Sequence, residues 1–81
     1  MFYVYVLWSY KLQKRYTGST NDITKRLKEH NHGKTPFTKS GIPWALVYHE
    51  EYKTNKEARE REKFLKTGIG RKWLDENMRR V

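Results

Sequence analysis

The chain has 81 residues and carries 18 Lys and Arg against 9 Asp and Glu, so its formal net charge is +9. That length predicts one small domain, residues 1–81, and so basic a domain attracts polyanions, of which nucleic acid is the commonest. A basic protein without such a partner is the alternative. The lack of cysteine excludes disulfides and thiol nucleophiles and favours a cytoplasmic location, and no apolar run is long enough to span a membrane.

The first part of the chain predicts a β-hairpin followed by a helix. Residues 2–8 are rich in aromatic and β-branched side chains on both faces, which is typical of a central strand. A polar turn leads to a second short strand over residues 14–18. The next segment predicts a helix that begins after Asn21, has Asp22 in its first turn and ends at Gly33.

The second part predicts a loop, a strand and two more helices. Residues 33–43 hold two Gly and two Pro among basic and hydroxyl residues, which predicts a loop. Residues 44–52 favour a third strand. A capping box that begins at Thr54 opens a helix to about residue 67, and a last helix covers about 71–78. The element order is therefore ββαβαα, in an α+β fold.

Polar side chains occupy helix positions that should face the core. Arg26 and His30 fall on the apolar stripe of the first helix, and Glu62 falls on that of the second. Two interpretations stay open. Either these groups line a functional cleft, where Glu62 binds Mg²⁺ against a phosphate, or they are structural. In the second case Glu62 forms a salt bridge with a basic residue nearby in sequence, Arg59 or Lys66.

Two tyrosines and a glycine add to this set. Tyr5 and Tyr16 are expected near each other across the hairpin, although each is also a plain candidate for a core aromatic residue. Gly18 precedes the first helix and should leave its backbone exposed to an anion. Together with the loop lysines, Lys34 and Lys39, it forms the predicted nucleic-acid-binding set.

The ordered set of these residues resembles the GIY-YIG nuclease family. The resemblance rests on six segments: Tyr3-Val4-Tyr5, Tyr16-Thr17-Gly18, Arg26-Leu27, His30-Asn31, Trp44-x-Leu46-Val47 and Ala58-Arg59-Glu60-Arg61-Glu62-Lys63. It covers essentially the whole chain and is strongest to small stand-alone bacterial members similar to the excision nuclease C subunit. It implies a three-stranded antiparallel sheet flanked by helices, and an endonuclease that cleaves phosphodiester bonds in DNA, in repair or recombination.

The resemblance also implies a role for each of five residues. Tyr5 and Tyr16 match the tyrosines of the two motifs, and Arg26 matches the helix arginine. His30 matches the histidine one turn later, and Glu62 matches the glutamate that binds one divalent ion, Mg²⁺ or Mn²⁺. In that scheme Arg26 pairs with a phosphate oxygen, Tyr16 accepts a proton from the attacking water and Tyr5 orients the water or phosphate. No small-molecule cofactor is expected.

Two positions depart from the family's motifs. Tyr3 stands where the first motif has glycine, and Thr17 stands where the second has isoleucine. The alternative to an enzyme is a non-catalytic nucleic-acid-binding module with a relic nuclease site, since the same basic and aromatic surface can hold DNA without cutting it.

Overall fold

A three-stranded antiparallel sheet forms the centre of the protein. The computed structural model describes residues 1–78. Strand β1 spans Phe2–Ser9, β2 spans Lys14–Thr20 and β3 spans Trp44–Tyr52, in the spatial order β2-β1-β3. Both neighbours run antiparallel to β1. The predicted sheet and the predicted element order are therefore confirmed.

Helix α1 spans Ile23–Asn31, and its cap differs from the prediction. Its N-cap is Asp22, whose Oδ1 accepts a hydrogen bond from the backbone N–H of Lys25 at 3.1 Å. The predicted cap, Asn21, lies one residue too early, because the Asp22 carboxylate satisfies a free N–H and is attracted to the positive end of the helix. The chain then leaves the helix at Gly33, where φ is 74°, as predicted.

The segment predicted as a loop contains a 3₁₀ helix at Pro36–Gly41. Proline fits the first position of this helix because an N–H at that position would have no acceptor within the helix. The side chain of Thr38 is only 1% exposed, and its carbonyl accepts a hydrogen bond from the Trp44 ring nitrogen at 2.7 Å. This contact with β3 holds the short helix against the core.

Helices α2 and α3 lie next to each other in sequence and in space. Helix α2 spans Asn55–Leu65 and opens with the predicted capping box. Helix α3 spans Gly68–Asn77, so it begins three residues before the predicted start at residue 71. The reason is Thr67, whose hydroxyl accepts a hydrogen bond from the Gly70 N–H at 3.1 Å and caps the helix earlier.

The two faces of β1 contribute to different hydrophobic clusters. Val4 and Val6 pack with three buried residues of α2 and α3: Ala58, Leu65 and Leu74. Tyr5 and Leu7 pack on the other face with Trp44 and the apolar side of α1. Helix α1 therefore covers one face of the sheet, and α2 and α3 cover the other. Within residues 1–78, no helix is long and apolar enough to cross a bilayer.

Candidate active site

A chain of buried hydrogen bonds connects Tyr5 to the 3₁₀ helix. The Tyr5 hydroxyl lies 3.0 Å from His30 Nε2, and His30 Nδ1 lies 2.8 Å from Thr38 Oγ1. The Thr38 hydroxyl donates to the Thr35 carbonyl at 3.3 Å. The single hydrogen of the Thr38 hydroxyl is used in that bond, so Thr38 Oγ1 must accept a hydrogen bond from His30 Nδ1–H. His30 is then neutral at Nε2, which accepts a hydrogen bond from the Tyr5 hydroxyl. Each of the three hydrogen bonds therefore has one donor and one acceptor.

Tyr5 and His30 are sealed from solvent, whereas Tyr16 is not. His30 is 0% exposed and Tyr5 is 2% exposed. The Tyr16 ring is half-buried, and its centre lies 6.4 Å from that of Tyr5 and 5.0 Å from that of His30. The two tyrosines are therefore neighbours across the hairpin, as expected. Of these three residues, Tyr16 is the one that can meet a substrate.

Arg26 lies at the open side of this buried chain. Its guanidinium forms an ion pair with Glu29 at 2.8 Å, and 34% of its side chain is exposed. Burial raises the pKa of Tyr5, and hydrogen bonding from Arg26 offsets this only in part. Burial also lowers the pKa of His30, and the charge of Arg26 lowers it further. Both effects keep Tyr5 protonated and His30 neutral, as the hydrogen-bond chain requires.

Glu62 reaches the same sheet edge from the opposite face. One carboxylate oxygen accepts from the Ser19 hydroxyl of β2 at 2.6 Å, and the other pairs with the Lys66 ammonium at 2.7 Å. The same ammonium lies 5.9 Å from the centre of the Tyr16 ring. Lys66 therefore links Glu62 to Tyr16 around the edge strand β2. The salt bridge of the structural interpretation is therefore present, and its partner is Lys66, the C-cap residue of α2.

Gly18 provides room for Tyr5. It is buried, so the expectation of exposed backbone at this position is wrong. A Cβ atom on Gly18 would lie 2.5 Å from the Tyr5 hydroxyl oxygen and 2.7 Å from Cζ. Glycine is thus required because the Tyr5 ring crosses directly over β2. The predicted role of Gly18 in nucleic-acid binding depended on exposed backbone, and Gly18 is buried.

We expect Gly18→Ala to destabilise the protein by about 1–3 kcal/mol, the usual cost of overpacking a core. The added methyl forces the Tyr5 ring away from His30. The free energy of unfolding, measured by urea titration, gives the effect. An alanine variant as stable as the wild type would show that Tyr5 does not need this space.

The predicted loop lysines lie on the exposed surface. Lys34 shares a recess with residues on the outer side of α1, among them Lys25 and Lys28. The Lys39 side chain passes over Gly33, near the point where α1 ends. Both ammonium groups therefore remain available to a polyanion, as their predicted role requires.

The donor atoms at Glu62 fit a hydrated hard cation. Within the described part of the chain, no three His, Cys, Asp or Glu side chains cluster to enclose an ion. An ion held by Glu62 would therefore keep mostly water ligands, which suits Mg²⁺ and argues against Zn²⁺. The Glu62 side chain is 21% exposed, so water has access to it. Its bond with Lys66 competes with an ion for one oxygen.

Four further residues contact these groups: Ser19, Glu29, Thr38 and Lys66. Sequence reasoning named one of them, Lys66, as a structural partner of Glu62. Only the two helical ones had a signal, since Glu29 follows Arg26 by three positions and Lys66 follows Glu62 by four. The hydroxyl residues lie in a strand and in a segment predicted as a loop. Nothing in their local sequence indicates which helix each of them contacts.

Because His30 is buried, we expect the free energy of unfolding to fall in mild acid. The folded-state pKa of His30 lies below the ordinary value of 6.5, so unfolding takes up a proton between the two values. The stabilising effect is complete above about pH 6.5 and declines as the pH falls below it. Urea titrations at about pH 7.5 and pH 5.5 measure this decline. It should shrink in His30→Gln and persist in His32→Gln, which changes an exposed histidine. Equal declines in both variants would contradict the assignment.

Comparison with known proteins identifies relatives over most of the chain. The family described as "GIY-YIG catalytic domain" matches residues 1–72. UPF0213 protein CPE1444 of Clostridium perfringens is 42% identical over 67 residues, which are 82% of this chain and 71% of that protein. UPF0213 protein YazA of Bacillus subtilis is 42% identical over 52 residues, 63% of this chain and 52% of that protein. A UPF0213 protein of Bacillus pumilus is 43% identical over 58 residues, which are 70% of this chain and 59% of that protein.

A solved structure agrees with these relatives. The solution NMR structure of the UPF0213 protein BH0048 from Bacillus halodurans has a TM-score of 0.55 and 31% sequence identity, and the match covers 94% of this chain and 84% of that one. The family match takes in all three strands, α1, α2 and the Tyr5, Tyr16, Arg26 and Glu62 positions described above. The chain therefore belongs to the GIY-YIG family.

Proposed function

We propose that the protein is an endonuclease that hydrolyses phosphodiester bonds in DNA with one Mg²⁺ or Mn²⁺ ion, in repair or recombination. One observation carries the proposal. A phenol, a guanidinium and a carboxylate, those of Tyr16, Arg26 and Glu62, are partly exposed around one edge of the sheet. Membership of the GIY-YIG family supports a nuclease, and the net charge of +9 supports a nucleic-acid substrate.

The proposed chemistry assigns a task to each exposed group. Hydrolysis needs an activated water and neutralisation of the charge that develops on the phosphoryl oxygens. Arg26 pairs with a non-bridging oxygen through guanidinium N–H groups that Glu29 does not engage. Tyr16, in its phenolate form, accepts the proton of the attacking water and becomes a neutral phenol. Glu62 would hold the divalent ion, which when bound would supply Lewis-acid stabilisation of the charge on the phosphoryl and leaving oxygens.

The buried residues act through Arg26 and Tyr16. Tyr5 was expected to orient the water or the phosphate, but at 2% exposure it has no surface for that contact. We assign Tyr5 and His30 to positioning instead. His30 fixes the Tyr5 hydroxyl proton, so the Tyr5 oxygen keeps lone pairs for the Arg26 guanidinium. Both rings also pack against Tyr16 and limit the orientations of its hydroxyl.

The test is a cleavage assay on branched, nicked, single-stranded and duplex DNA, each with Mg²⁺ and with a chelator. We expect cleavage of at least one substrate with Mg²⁺ and none with the chelator. Binding to every substrate without cleavage of any would favour the alternative, a nucleic-acid-binding module with a relic site. Because Mg²⁺ also weakens electrostatic binding to DNA, binding is measured under both conditions.

DNA binding itself should depend steeply on salt. Each duplex phosphate that the protein neutralises lowers the logarithm of the binding constant by about 0.9 per tenfold rise in salt. Fluorescence anisotropy of a labelled duplex at several NaCl concentrations gives the slope. In a double variant, Lys34→Ala with Lys39→Ala, we expect the slope to fall by about 2, or one unit per lost phosphate contact. An isotherm that does not change with salt would contradict nucleic-acid binding by charge.

A further inference from the structure

Phe37 is an exposed aromatic residue on a firmly held segment. At 86%, it is the most exposed of the large hydrophobic side chains in residues 1–78. The next residue, Thr38, is buried and anchored by hydrogen bonds to His30 and Trp44. The Phe37 ring therefore stands outside the core because the backbone places it there. An exposed ring on a fixed backbone is a surface on which a nucleobase could stack.

The position of Phe37 indicates where that ligand lies. Phe37 lines a surface pocket that also includes Tyr16 and Lys66, the two residues that meet around the edge of β2. The lining of the pocket also includes two apolar residues of the core, Leu65 and Leu74. A group that stacks on Phe37 is thus a close neighbour of the proposed reaction centre.

The charged side chains that line the pocket indicate which class of ligand it would bind. Its described lining includes three cations, Arg15, Lys66 and Arg71, and no carboxylate. Arg15 and Lys66 have carboxylate partners outside the lining, Asp75 and Glu62, whereas the Arg71 guanidinium donates to a backbone carbonyl at 3.2 Å. Cations around an exposed aromatic ring are the combination that binds single-stranded nucleic acid. The cations pair with phosphates and the ring stacks on a base.

We propose that Phe37 stacks on an unpaired nucleobase next to the phosphate that is cut, so that the protein prefers DNA with a single-stranded segment over fully paired DNA. A paired base keeps both of its faces stacked on neighbouring bases and offers none to Phe37. The place of the base relative to the cut rests on the proposed function. The stacking itself does not, because it requires binding and no cleavage.

The test compares the affinity for two DNAs in the presence of a chelator, so that no cleavage occurs. One is a duplex with a short unpaired segment, and the other is the same duplex fully paired. In Phe37→Ala we expect affinity for the first to fall by about 10-fold, the scale of one base stacked on one aromatic ring, and affinity for the second to stay unchanged. Phe37→Trp should retain the wild-type preference because it keeps a stacking face.

A matched control is Tyr10→Ala. The Tyr10 ring is 60% exposed, but it packs edge-on against Trp8 at 6.3 Å and lies outside the pocket of Tyr16. This variant should keep the preference. A fluorescent base analogue in the unpaired segment gives a second measurement, since its emission changes when it stacks in the wild type and should not change in Phe37→Ala. Circular dichroism verifies that both alanine variants fold.

The outcomes separate this proposal from the proposed function. Equal losses of affinity for both DNAs in Phe37→Ala, or no loss for either, would overturn the stacking site even if the wild type cuts DNA with Mg²⁺. A selective loss of affinity would support it even if no cleavage is found. A wild type without preference for the unpaired segment would also overturn it.

Discussion

Arg26→Ala is expected to cut DNA about 100-fold more slowly than the wild type, or slower still, which is the effect of removing one group that stabilises transition-state charge. Arg26 is the partly exposed guanidinium that lies between Glu29 and the buried Tyr5. Its loss leaves the phosphoryl charge without its principal side-chain partner. Single-turnover rates with Mg²⁺, at saturating protein, measure the chemical step apart from binding.

The matched control for Arg26→Ala is Glu29→Gln. It removes the charge of the ion-pair partner but keeps the guanidinium, so cleavage should continue. Both variants should unfold cooperatively near the wild-type midpoint, because neither removes a large apolar group from the core. If Arg26→Ala lowered DNA affinity modestly and left the single-turnover rate unchanged, Arg26 would be a binding residue and not a catalytic one.

Glu62→Gln is expected to lose Mg²⁺-dependent cleavage. Glutamine keeps the size of the side chain and a carbonyl that can accept from Ser19, but it lacks the charge that attracts both Lys66 and a divalent ion. DNA affinity should stay the same or rise, since a negative charge is removed beside the proposed path of the phosphates. Cleavage and binding are measured on the same substrate.

A second glutamine variant makes the result specific. Glu60→Gln changes the net charge by the same amount on the same helix, but Glu60 is exposed and faces away from the sheet edge. It should cut DNA at the wild-type rate. Cleavage by Glu62→Gln at that rate would end the one-metal proposal. A loss in both variants would indicate an effect of overall charge.

Local patterns predicted much of this architecture. Aromatic and β-branched runs predicted the strands, and helical spacing placed Arg26, His30 and Glu62 on inward faces. The last helix starts three residues before the sequence predicts, because both glycines of its first turn, Gly68 and Gly70, are helical. Gly70 is in fact required inside the helix, since a Cβ there would lie 1.9 Å from the Phe64 carbonyl oxygen of α2.

The connections between layers could not be predicted in the same way. His30 is sealed because Thr38, from a segment without helical periodicity, closes over its Nδ1 atom. Lys66 meets Tyr16 only because α2 packs close enough to β2 for a long side chain to pass around the strand. Neither contact follows from the spacing of apolar positions: His30 and Thr38 are eight residues apart but in different elements, and Tyr16 and Lys66 are distant in sequence.

The location of the site on an edge strand has a consequence for self-association. In the part of the chain that the structure describes, β2 is hydrogen-bonded to a strand on one side only. Such an edge is a template on which a second copy can add a strand, and charged side chains are the usual protection. Lys14 and Arg15 stand at the start of β2. Positive charge that would guide a DNA strand along this edge would also oppose its pairing with the same edge of another copy.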